Sequence, residues 1–362
     1  MTFGARAFIK LGALRHNLQV IRKTAPGARV MAVIKANAYG HGMLEVARTL
    51  FDVDSLAVAR LAEARVLRKA GIENPIVILE GSLDREELDI AIASGCELVV
   101  HCIEQLEMLE HFEPAGLTVW IKFDTGMNRL GFRVSDADAL IKRAQECRAI
   151  AKLRLMSHLA NADDRQDDKT TEQLRLFQSI VDGFDGDVSI ANSAGLFGWP
   201  DSILRPSGDI WIRPGISLYG ISPFDELSGA DLGLRPVMQL ESQLISVRAI
   251  NAGERVGYGG TWEAKQDSII GIAAVGYGDG YSRFLPSGTP VLVSNRRVPL
   301  VGRVSMDMIA VDLGSDSSDK VGDPVLLWGD GLPVEEIANY AGTIPYQLVC
   351  GVLNREPSVF VD

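Results

Sequence analysis

The sequence is poor in the residues that build metal centres and disulfide frameworks, and it has no long hydrophobic run. Its four cysteines show no paired spacing of the kind that holds zinc, and its five histidines form no close pair. We therefore expect no metal, and we expect buried thiols at Cys96, Cys102, Cys147 and Cys350. No apolar run approaches the roughly 18 residues of a membrane span, and no basic segment followed by an apolar core opens the chain. These absences predict a cytoplasmic protein.

The sequence also lacks an excess of positive charge. Lysine and arginine number 36 against 47 aspartate and glutamate residues, which gives a net charge of −11 and an isoelectric point near 5.1. This balance argues against nucleic acid or an acidic membrane surface as a partner. Hydrophobic residues make up 47% of the 362 positions, which is ordinary for a globular protein, and this length favours two domains.

Short apolar runs alternate with segments of helical periodicity over the first two-thirds of the chain. Strand candidates lie near residues 29–35, 55–60, 75–80, 97–101, 117–123, 153–158, 187–191 and 211–214. Helix candidates lie at 43–50, 62–69, 85–92, 103–111, 137–147 and 173–181. Eight such units predict an α/β fold with a closed (β/α)8 TIM-type barrel over residues 1–233. An open doubly wound sheet is the alternative, but no Gly-x-Gly-x-x-Gly element follows the first strand.

The pattern changes beyond about residue 234. Strand-like runs broken by turns follow one another, and helical periodicity returns only at 334–341. The runs lie at 239–250, 268–275, 289–293, 297–304, 308–313 and 324–328. Residues 234–362 are therefore predicted to form a separate, mostly β domain, joined to the barrel by the Pro-, Gly-, Ser- and Asp-containing segment 223–233.

One lysine, Lys35, lies where a short apolar run ends and a glycine-containing loop begins. The run over residues 28–34 predicts a buried strand with Lys35 at its carboxyl end. Apolar surroundings lower the pKa of a lysine and so increase the share of free amine that can attack an aldehyde. A solvated strand-end lysine is the commoner case. Here Tyr39, Gly40 and Gly42 favour function, because they offer a hydroxyl and close backbone approach to an anion.

Other candidate residues follow the carboxyl ends of later strands, where barrels bind their ligands. They are Arg129, His158, Ser193 and the segment from Arg213 to Ile216. Gly215 would allow a phosphate to approach backbone N–H groups, and Ser193 would add a hydroxyl. Taken alone, Gly215 is equally well explained as a turn glycine. Together these positions predict one site at the mouth of the barrel.

Five segments of the chain resemble the alanine racemases. They are VIKANAYGHG at 33–42, KFDTGMNRLGF at 122–132, IRPGISLYG at 212–220, ERVGYGG at 254–260 and VGRVSMDM at 301–308, and the likeness runs from about residue 5 to the end. The resemblance implies an isomerase that interconverts L-alanine and D-alanine with pyridoxal 5'-phosphate, either to supply D-alanine for cell-wall peptidoglycan or to degrade it. It implies that Lys35 carries the cofactor and that its phosphate is held by Tyr39, Ser193, Gly215, Ile216 and Tyr346.

The resemblance gives Arg213 a special role, facing the pyridine nitrogen of the cofactor. An arginine does not give up a proton, so that nitrogen is expected to stay unprotonated, which weakens the ring as an electron sink. A shorter-lived carbanion favours racemisation over transamination. The alternative from the sequence alone is a core arginine paired with an acid such as Asp209.

Racemisation needs proton transfer on both faces of the substrate Cα. By resemblance, Lys35 serves one face of the cofactor aldimine and Tyr258 the other, with His158 and Arg213 contacting the cofactor and forming a relay that makes the phenol a usable base. The resemblance also implies that Tyr258 comes from a second subunit, and so a homodimer with shared active sites. Without the resemblance, Tyr258 would be interpreted as an exposed turn tyrosine.

The remaining site residues concern the substrate. By resemblance Arg129 contacts the substrate carboxylate, Lys122 is carbamylated and positions Arg129, and Met306 and Asp307 line the substrate entrance. Asp124 has an alternative role as an ion-pair partner of Lys122 or Arg129. Two departures from the usual pattern are Ser305, where many relatives have cysteine, and the segment 354–358, which keeps only part of the usual basic ending.

Three rival functions remain open on the sequence. A racemase of wider range would accept serine or lysine, and pocket width cannot be read from the motifs. A barrel-type amino-acid decarboxylase would need an acid at the pyridine nitrogen and a motif cysteine that is not matched here. A non-catalytic cofactor-binding barrel would lack the second domain and Tyr258.

Overall fold

The computed structural model describes residues 4–112, 116–203, 207–353, 355 and 357–362. In chain order its strands are β1 (Arg6–Lys10), β2 (Arg29–Val33), β3 (Ser55–Val58), β4 (Ile76–Ile78), β5 (Cys96–Val100), β6 (Leu117–Asp124), β7 (Phe132–Arg133), β8 (Ile150–Met156), β9 (Val188–Ser189), β10 (Trp211–Ile212), β11 (Met238–Ile250), β12 (Arg255–Val256), β13 (Trp262–Glu263), β14 (Ser268–Ala273), β15 (Pro290–Val293), β16 (Arg296–Val301), β17 (Ile309–Asp312), β18 (Pro324–Trp328) and β19 (Val359–Val361).

The helical segments lie mostly between the strands of the first half. They are α1 (Leu11–Thr24), α2 (Lys35–Tyr39), α3 (Met43–Thr49), α4 (Leu61–Lys69), α5 (Arg85–Ala93), α6 (Ile103–Glu110), α7 (Ala137–Glu146), α8 (Lys169–Val181), α9 (Ser193–Gly198), α10 (Val334–Ala341) and α11 (Pro345–Cys350). The longer helices are amphipathic, with one buried stripe, as a helix packed on the outside of a sheet must be. The segment α2 is an exception, because its backbone is left-handed.

Eight parallel strands form the barrel, which confirms the predicted fold. Their order is β10-β2-β3-β4-β5-β6-β8-β9, with the short β7 beside β6. The ring closes between β9 and β10 through a parallel bridge between Val188 and Ile210. Every residue of β3 and β4 is buried, as expected for aliphatic strands covered by helices outside and by side chains inside. All eight strands predicted from the sequence are found, within a few residues of the predicted positions.

The second sheet has eight strands in the order β14-β17-β16-β15-β18-β11-β1-β19. Its long strand β11 pairs antiparallel with β1, β14 and β18, so a mostly β domain follows the barrel as predicted. The first strand of the chain, β1, belongs to this sheet rather than to the barrel, because it also pairs in parallel with β19 near the end of the chain. Both ends of the chain thus meet in the second sheet. The division at residue 233 stays a prediction.

Three segments of the second domain were missed by the sequence patterns. They are the helix α11, the two-stranded ribbon of β12 and β13, and the strand β19. Within the described ranges, no helix is long and apolar enough to cross a membrane, and no group of three or more potential metal ligands was found. The expectation of four buried thiols is wrong for Cys350, which is exposed, and Cys102 is only partly buried.

Candidate active site

A cavity of about 760 Å³ opens at the carboxyl ends of the barrel strands. Most of the residues predicted for the site line it: Lys35, Tyr39, Lys122, Arg129, His158, Ser193, Arg213, Gly215, Ile216 and Tyr346. These positions are spread over more than 300 residues of sequence, and the parallel barrel brings the strand ends together at one mouth. Tyr346 reaches the same cavity from α11 of the second domain.

Lys35 follows β2 directly and begins a left-handed turn. The φ angles of Ala36, Asn37, Ala38 and Tyr39 are all 53° or 54°. For residues other than glycine this conformation costs roughly 1–2 kcal/mol each. Hydrogen bonds within the turn offset part of that cost, including Ala38 N–H to Ile34 O at 2.9 Å and Gly40 N–H to Ala36 O at 3.1 Å. Strain of this kind is concentrated where the surrounding structure must fix a functional side chain.

The amine of Lys35 loses basicity in this setting. Burial lowers its pKa from the ordinary lysine value, and the nearby guanidinium of Arg129 lowers it further. Two carboxylates, Glu80 and Glu63, act in the opposite direction. The balance leaves more free amine near neutral pH than an exposed lysine would have, which suits a nucleophile or a base.

The floor of the cavity beside Lys35 is a cluster of neutral hydrogen-bonding groups. Ser193 Oγ accepts from the N–H of Gly215 at 3.0 Å and lies 3.0 Å from Ser217 Oγ. A Cβ at Gly215 would lie 2.6 Å from Tyr39 Oη, so no side chain fits there. Burial raises the pKa of Tyr39 and of Tyr346, and both phenols therefore keep their protons and can donate them. Such a set of donors fits an anion like a phosphate.

Arg213 is buried in this site, and no carboxylate in the described part of the chain forms a salt bridge with it. Its guanidinium donates to Ser189 Oγ at 2.5 Å, to the backbone oxygen of Ser157 at 2.6 Å and to His158 Nδ1 at 3.0 Å. Burial lowers its pKa to about 10, so it remains a cation at neutral pH. The alternative of an Arg213–Asp209 pair is wrong, because Asp209 binds Arg29, with Nε and Oδ2 2.5 Å apart.

His158 is held as a neutral imidazole by its neighbours. Arg213 can only donate, so His158 Nδ1 must accept and the ring proton lies on Nε2. Burial lowers the pKa of His158 well below its usual value, and the positive charges of Arg213, Lys122 and Arg129 lower it further. The pair thus presents an N–H donor backed by a cation.

Lys122 lies in the same mouth, at the inner face of β6. Burial, together with the positive charges of Arg213, Arg129 and Lys35, lowers its pKa to about 8. Among the described residues Lys122 makes no salt bridge, and Asp124 does not pair with it. The Asp124 carboxylate instead accepts the backbone N–H groups of Gly126 at 2.9 Å and Asn128 at 3.1 Å. Lys122 is therefore an amine that is neutral in a substantial fraction of molecules near pH 8.

Three predicted residues, Tyr258, Met306 and Asp307, do not line this cavity within one chain. Tyr258 lies on the turn between β12 and β13 and is 70% exposed, and Met306 is 55% exposed. Asp307 is bound at 2.7 Å by Arg355, which also lies 3.3 Å from Asp279. That salt bridge gives the tail a local anchor, while the neighbouring Asn354 and Glu356 lie outside the described residues.

The sequence patterns missed several residues of the site. Ser189 and Ser217 bind Arg213 and Ser193 respectively, and Cys350 lines the cavity beside Lys35. Ser189 lies four positions before Ser193, on the same side of an extended chain, and that alternation was the available signal. Nothing in the local sequence distinguishes Cys350, which reaches the mouth only because α11 packs there.

Comparisons with known proteins agree with this geometry. Alanine racemase, N-terminal domain, matches residues 9–223, and alanine racemase, C-terminal domain, matches residues 237–360. The biosynthetic alanine racemase of Escherichia coli K12 is 49% identical over 363 residues, covering 99% of each chain. The biosynthetic alanine racemase of Pseudomonas aeruginosa has a TM-score of 0.94 at 43% identity over 100% of both chains.

A further solved relative, the alanine racemase of Bartonella henselae with covalently bound pyridoxal phosphate, is 29% identical with a TM-score of 0.89, covering 99% of this chain and 100% of the other. These likenesses extend over both domains and over the barrel mouth that bears Lys35. The chain therefore belongs to the alanine racemase family, and it interconverts L-alanine and D-alanine.

Proposed function

We propose that this reaction uses pyridoxal 5'-phosphate bound at the barrel mouth, with Lys35 and Tyr258 as bases on opposite faces of the substrate Cα. The observation that carries the proposal is a buried arginine in the site that is bonded to a histidine and, in the described part of the chain, not to an acid. A lysine of lowered pKa shares one cavity with an Arg213–His158 pair that has no carboxylate partner among the described residues. An arginine at the ring nitrogen favours proton transfer at the substrate Cα over strong withdrawal of electrons into the cofactor ring.

The residues fit the cofactor on physical grounds. The donors around Ser193 and Gly215 suit its phosphate, and the absence of a side chain at Gly215 lets the Tyr39 hydroxyl lie against the backbone among those donors. Arg213 offers only N–H donors, so it suits an unprotonated ring nitrogen. When bound, pyridoxal phosphate supplies an aldehyde that captures amines and a ring that accepts the electron pair released at Cα. The Bartonella henselae relative with covalently bound pyridoxal phosphate supports the same assignment.

Lys35 is proposed to hold the cofactor and to move the proton on one face. Its amine is partly desolvated and its pKa is lowered, so it gives up a proton more readily than an exposed lysine does. The strained turn over residues 36–39 limits the directions in which Nζ can point. Arg129, at the same mouth, is proposed to bind the substrate carboxylate through its planar set of donors.

Tyr258 is proposed to act from a second copy of the chain. It does not line the cavity of its own chain, and its surroundings are unusually apolar for a surface. Exposed side chains flank the segment 302–308, which packs on the Tyr258 turn: Tyr277, Phe284, Met306 and Met308. Exposed patches of this kind usually mark protein contacts. A homodimer would cover these exposed side chains. It would bring Tyr258 to the site that holds the Nε2–H group of the partner's His158, and it would place Met306 and Asp307 at the substrate entrance.

Lys122 is proposed to carry a carbamate that positions Arg129. A buried amine with a pKa of about 8 is neutral often enough to react with carbon dioxide. The product is an anion, which would balance part of the positive charge at the mouth. A cytoplasmic location is part of the same proposal and rests on the sequence alone.

The test is turnover of L-alanine in deuterated water by the wild type, Lys35→Ala and Tyr258→Phe, followed by proton NMR and chiral analysis. The wild type should exchange the Cα proton and approach an equal mixture of enantiomers. Lys35→Ala should lose the covalent cofactor linkage, and Tyr258→Phe should keep bound cofactor but lose about 10²–10⁴ in turnover. Full activity of Tyr258→Phe would rule out the two-base assignment. Turnover of serine or lysine would show that the enzyme accepts a wider range of amino acids.

A further inference from the structure

Glu63, on the first turn of α4, binds the backbone at the mouth of the barrel with both carboxylate oxygens. Its Oε1 accepts the N–H of Ala36 at 2.7 Å. Its Oε2 accepts the N–H of Ala59 at 2.8 Å and that of Arg60 at 3.2 Å. A single half-buried carboxylate therefore connects the residue after Lys35 to the loop that joins β3 to α4.

The N–H group that Glu63 Oε1 binds belongs to Ala36, at the start of the strained turn. Ala36 is the residue after Lys35 and the first of the four with left-handed φ. The amides of Ala38 and Gly40 donate to nearby backbone oxygens, those of Ile34 and Ala36. The Ala36 amide is instead satisfied by Glu63, so this carboxylate ties the start of the strained turn to the neighbouring β/α unit.

We propose that Glu63 is a positioning residue that holds the left-handed turn in place and thereby fixes the direction of the Lys35 amine. The inference rests on the proposed role of Lys35 and adds to it a residue outside the motifs. Glu63 acts through the backbone. Its contribution is the geometry of the turn, because three N–H groups from two neighbouring loops converge on one side chain whose two oxygens can accept them all.

A second carboxylate provides a matched control. Glu80 and Glu63 both oppose the lowering of the Lys35 pKa by burial, so both act on the amine through their charge. The Glu80 carboxylate, however, pairs with Arg60, with Nε and Oε2 3.2 Å apart, and makes no hydrogen bond to the turn. Glu80→Gln therefore removes a similar charge and leaves the backbone of residues 35–40 untouched.

The experiment compares Glu63→Gln with Glu80→Gln in the full-length holoenzyme. Hydrogen–deuterium exchange of peptides covering residues 35–42 is the first readout, and turnover of L-alanine is the second. Glu63→Gln should exchange this segment about tenfold faster and lower kcat about tenfold, while Glu80→Gln, whose side chain makes no bond to the turn, should keep its exchange within about twofold of wild type. Equal exchange in the two variants, or no change in exchange for Glu63→Gln, would overturn the proposal.

A rescue variant separates turn geometry from charge. Glycine adopts left-handed φ without strain, so Ala36→Gly should relieve the turn of part of its need for Glu63. The double variant Glu63→Gln/Ala36→Gly should therefore recover most of the kcat lost by Glu63→Gln. If Glu63 acted only through its charge on Lys35, glycine would restore nothing, and the proposal would fail.

Glu63→Asp is a second variant that tests the proposal if Glu63→Gln does not fold. Aspartate keeps the charge but is one methylene shorter and cannot span both loops, so its exchange should resemble that expected for Glu63→Gln. Wild-type exchange in Glu63→Asp would contradict the proposal. These exchange results do not depend on the role of Lys35. Retained turnover in Lys35→Ala would instead refute the proposed function while leaving the Glu63 contact measurable.

Discussion

Inside the barrel, side chains from the same strands form two successive layers, a lower one and an upper one at the mouth. Buried cations are paired with acids in the lower layer and form no salt bridge with described residues in the upper layer. β6 contributes Trp120 to the lower layer and Lys122 to the upper one, and Trp211 of β10 is followed two positions later by Arg213. Side chains two positions apart point to the same side of a strand, so each pair shares the interior face. The difference between the layers therefore lies in their partners and not in their place in the fold.

The lower layer encloses a cation with its counter-charges. The guanidinium of Arg154 lies 5.1 Å from the ring centroid of Trp120 and 4.7 Å from that of Trp211. It also lies 2.7 Å from a carboxylate oxygen of Glu97 and 2.8 Å from one of Asp187. The two indole N–H groups donate to the same two carboxylates. Buried charges in this layer are paired and bonded, as a structural core requires.

The upper layer concentrates cations that form no salt bridge among the described residues. Lys122 and Arg213 are buried, and Lys35 and Arg129 lie beside them. Burial lowers the pKa of Lys122 and of His158, and the surrounding positive charges lower both further. An arrangement of this kind is costly for stability, and it makes the two lysines less basic than exposed lysines and keeps the imidazole neutral. The comparison teaches that the same barrel interior uses paired charge for packing and unpaired charge for chemistry.

The largest effect that tests this comparison is expected from Arg154→Met. It leaves the carboxylates of Glu97 and Asp187 buried without their shared cation, which typically costs about 3–5 kcal/mol of stability. Denaturant unfolding should show the loss, while turnover per folded molecule stays within about twofold. Lys152→Met is the control, because Lys152 pairs with Asp187 from a half-exposed position and should cost under about 1 kcal/mol. An unchanged unfolding midpoint for Arg154→Met would break the distinction.

The matched change in the upper layer is Arg213→Met. It removes a cation that has no acid partner, so we expect a smaller loss of stability, about 1–3 kcal/mol from the unsatisfied acceptors Ser189 and Ser157. Turnover should fall about 10²–10³-fold. Without the Arg213 charge the pKa of His158 rises towards its usual value, so the acid limb of the pH–turnover profile should move to higher pH. A variant with wild-type turnover and a large loss of stability would assign Arg213 to packing.

The sequence predicted the barrel because each of its strands is a short apolar run between helical segments, and the mouth because its residues follow those strands. It did not predict the pairing of β1 with β11 and β19, since that pairing depends on contacts between residues more than 200 positions apart. Glu63 carries no local signal, because its function is to bind the backbone after another strand. Tyr258 was predicted by resemblance alone, because it does not line the cavity of its own chain and no local pattern marks it.

The smallest predicted effect concerns Lys122 and its response to carbon dioxide. Because the pKa of Lys122 is lowered to about 8, the amine is increasingly neutral as the pH rises through that value and increasingly protonated below it. Only the neutral amine forms a carbamate. Enzyme depleted of carbon dioxide should therefore regain activity severalfold when bicarbonate is added at pH 8, and less at pH 6.5.

Carbon-13 NMR with labelled bicarbonate gives the direct measurement of this modification. A carbamate signal should be present in the wild type and in Lys152→Met, which changes the paired lysine of the lower layer, and absent in Lys122→Ala. A signal that persists in Lys122→Ala would show that the modified amine lies elsewhere. A signal lost in Lys152→Met would show that pairing does not protect an amine, and the contrast between the two layers would then rest on Arg154 and Arg213 alone.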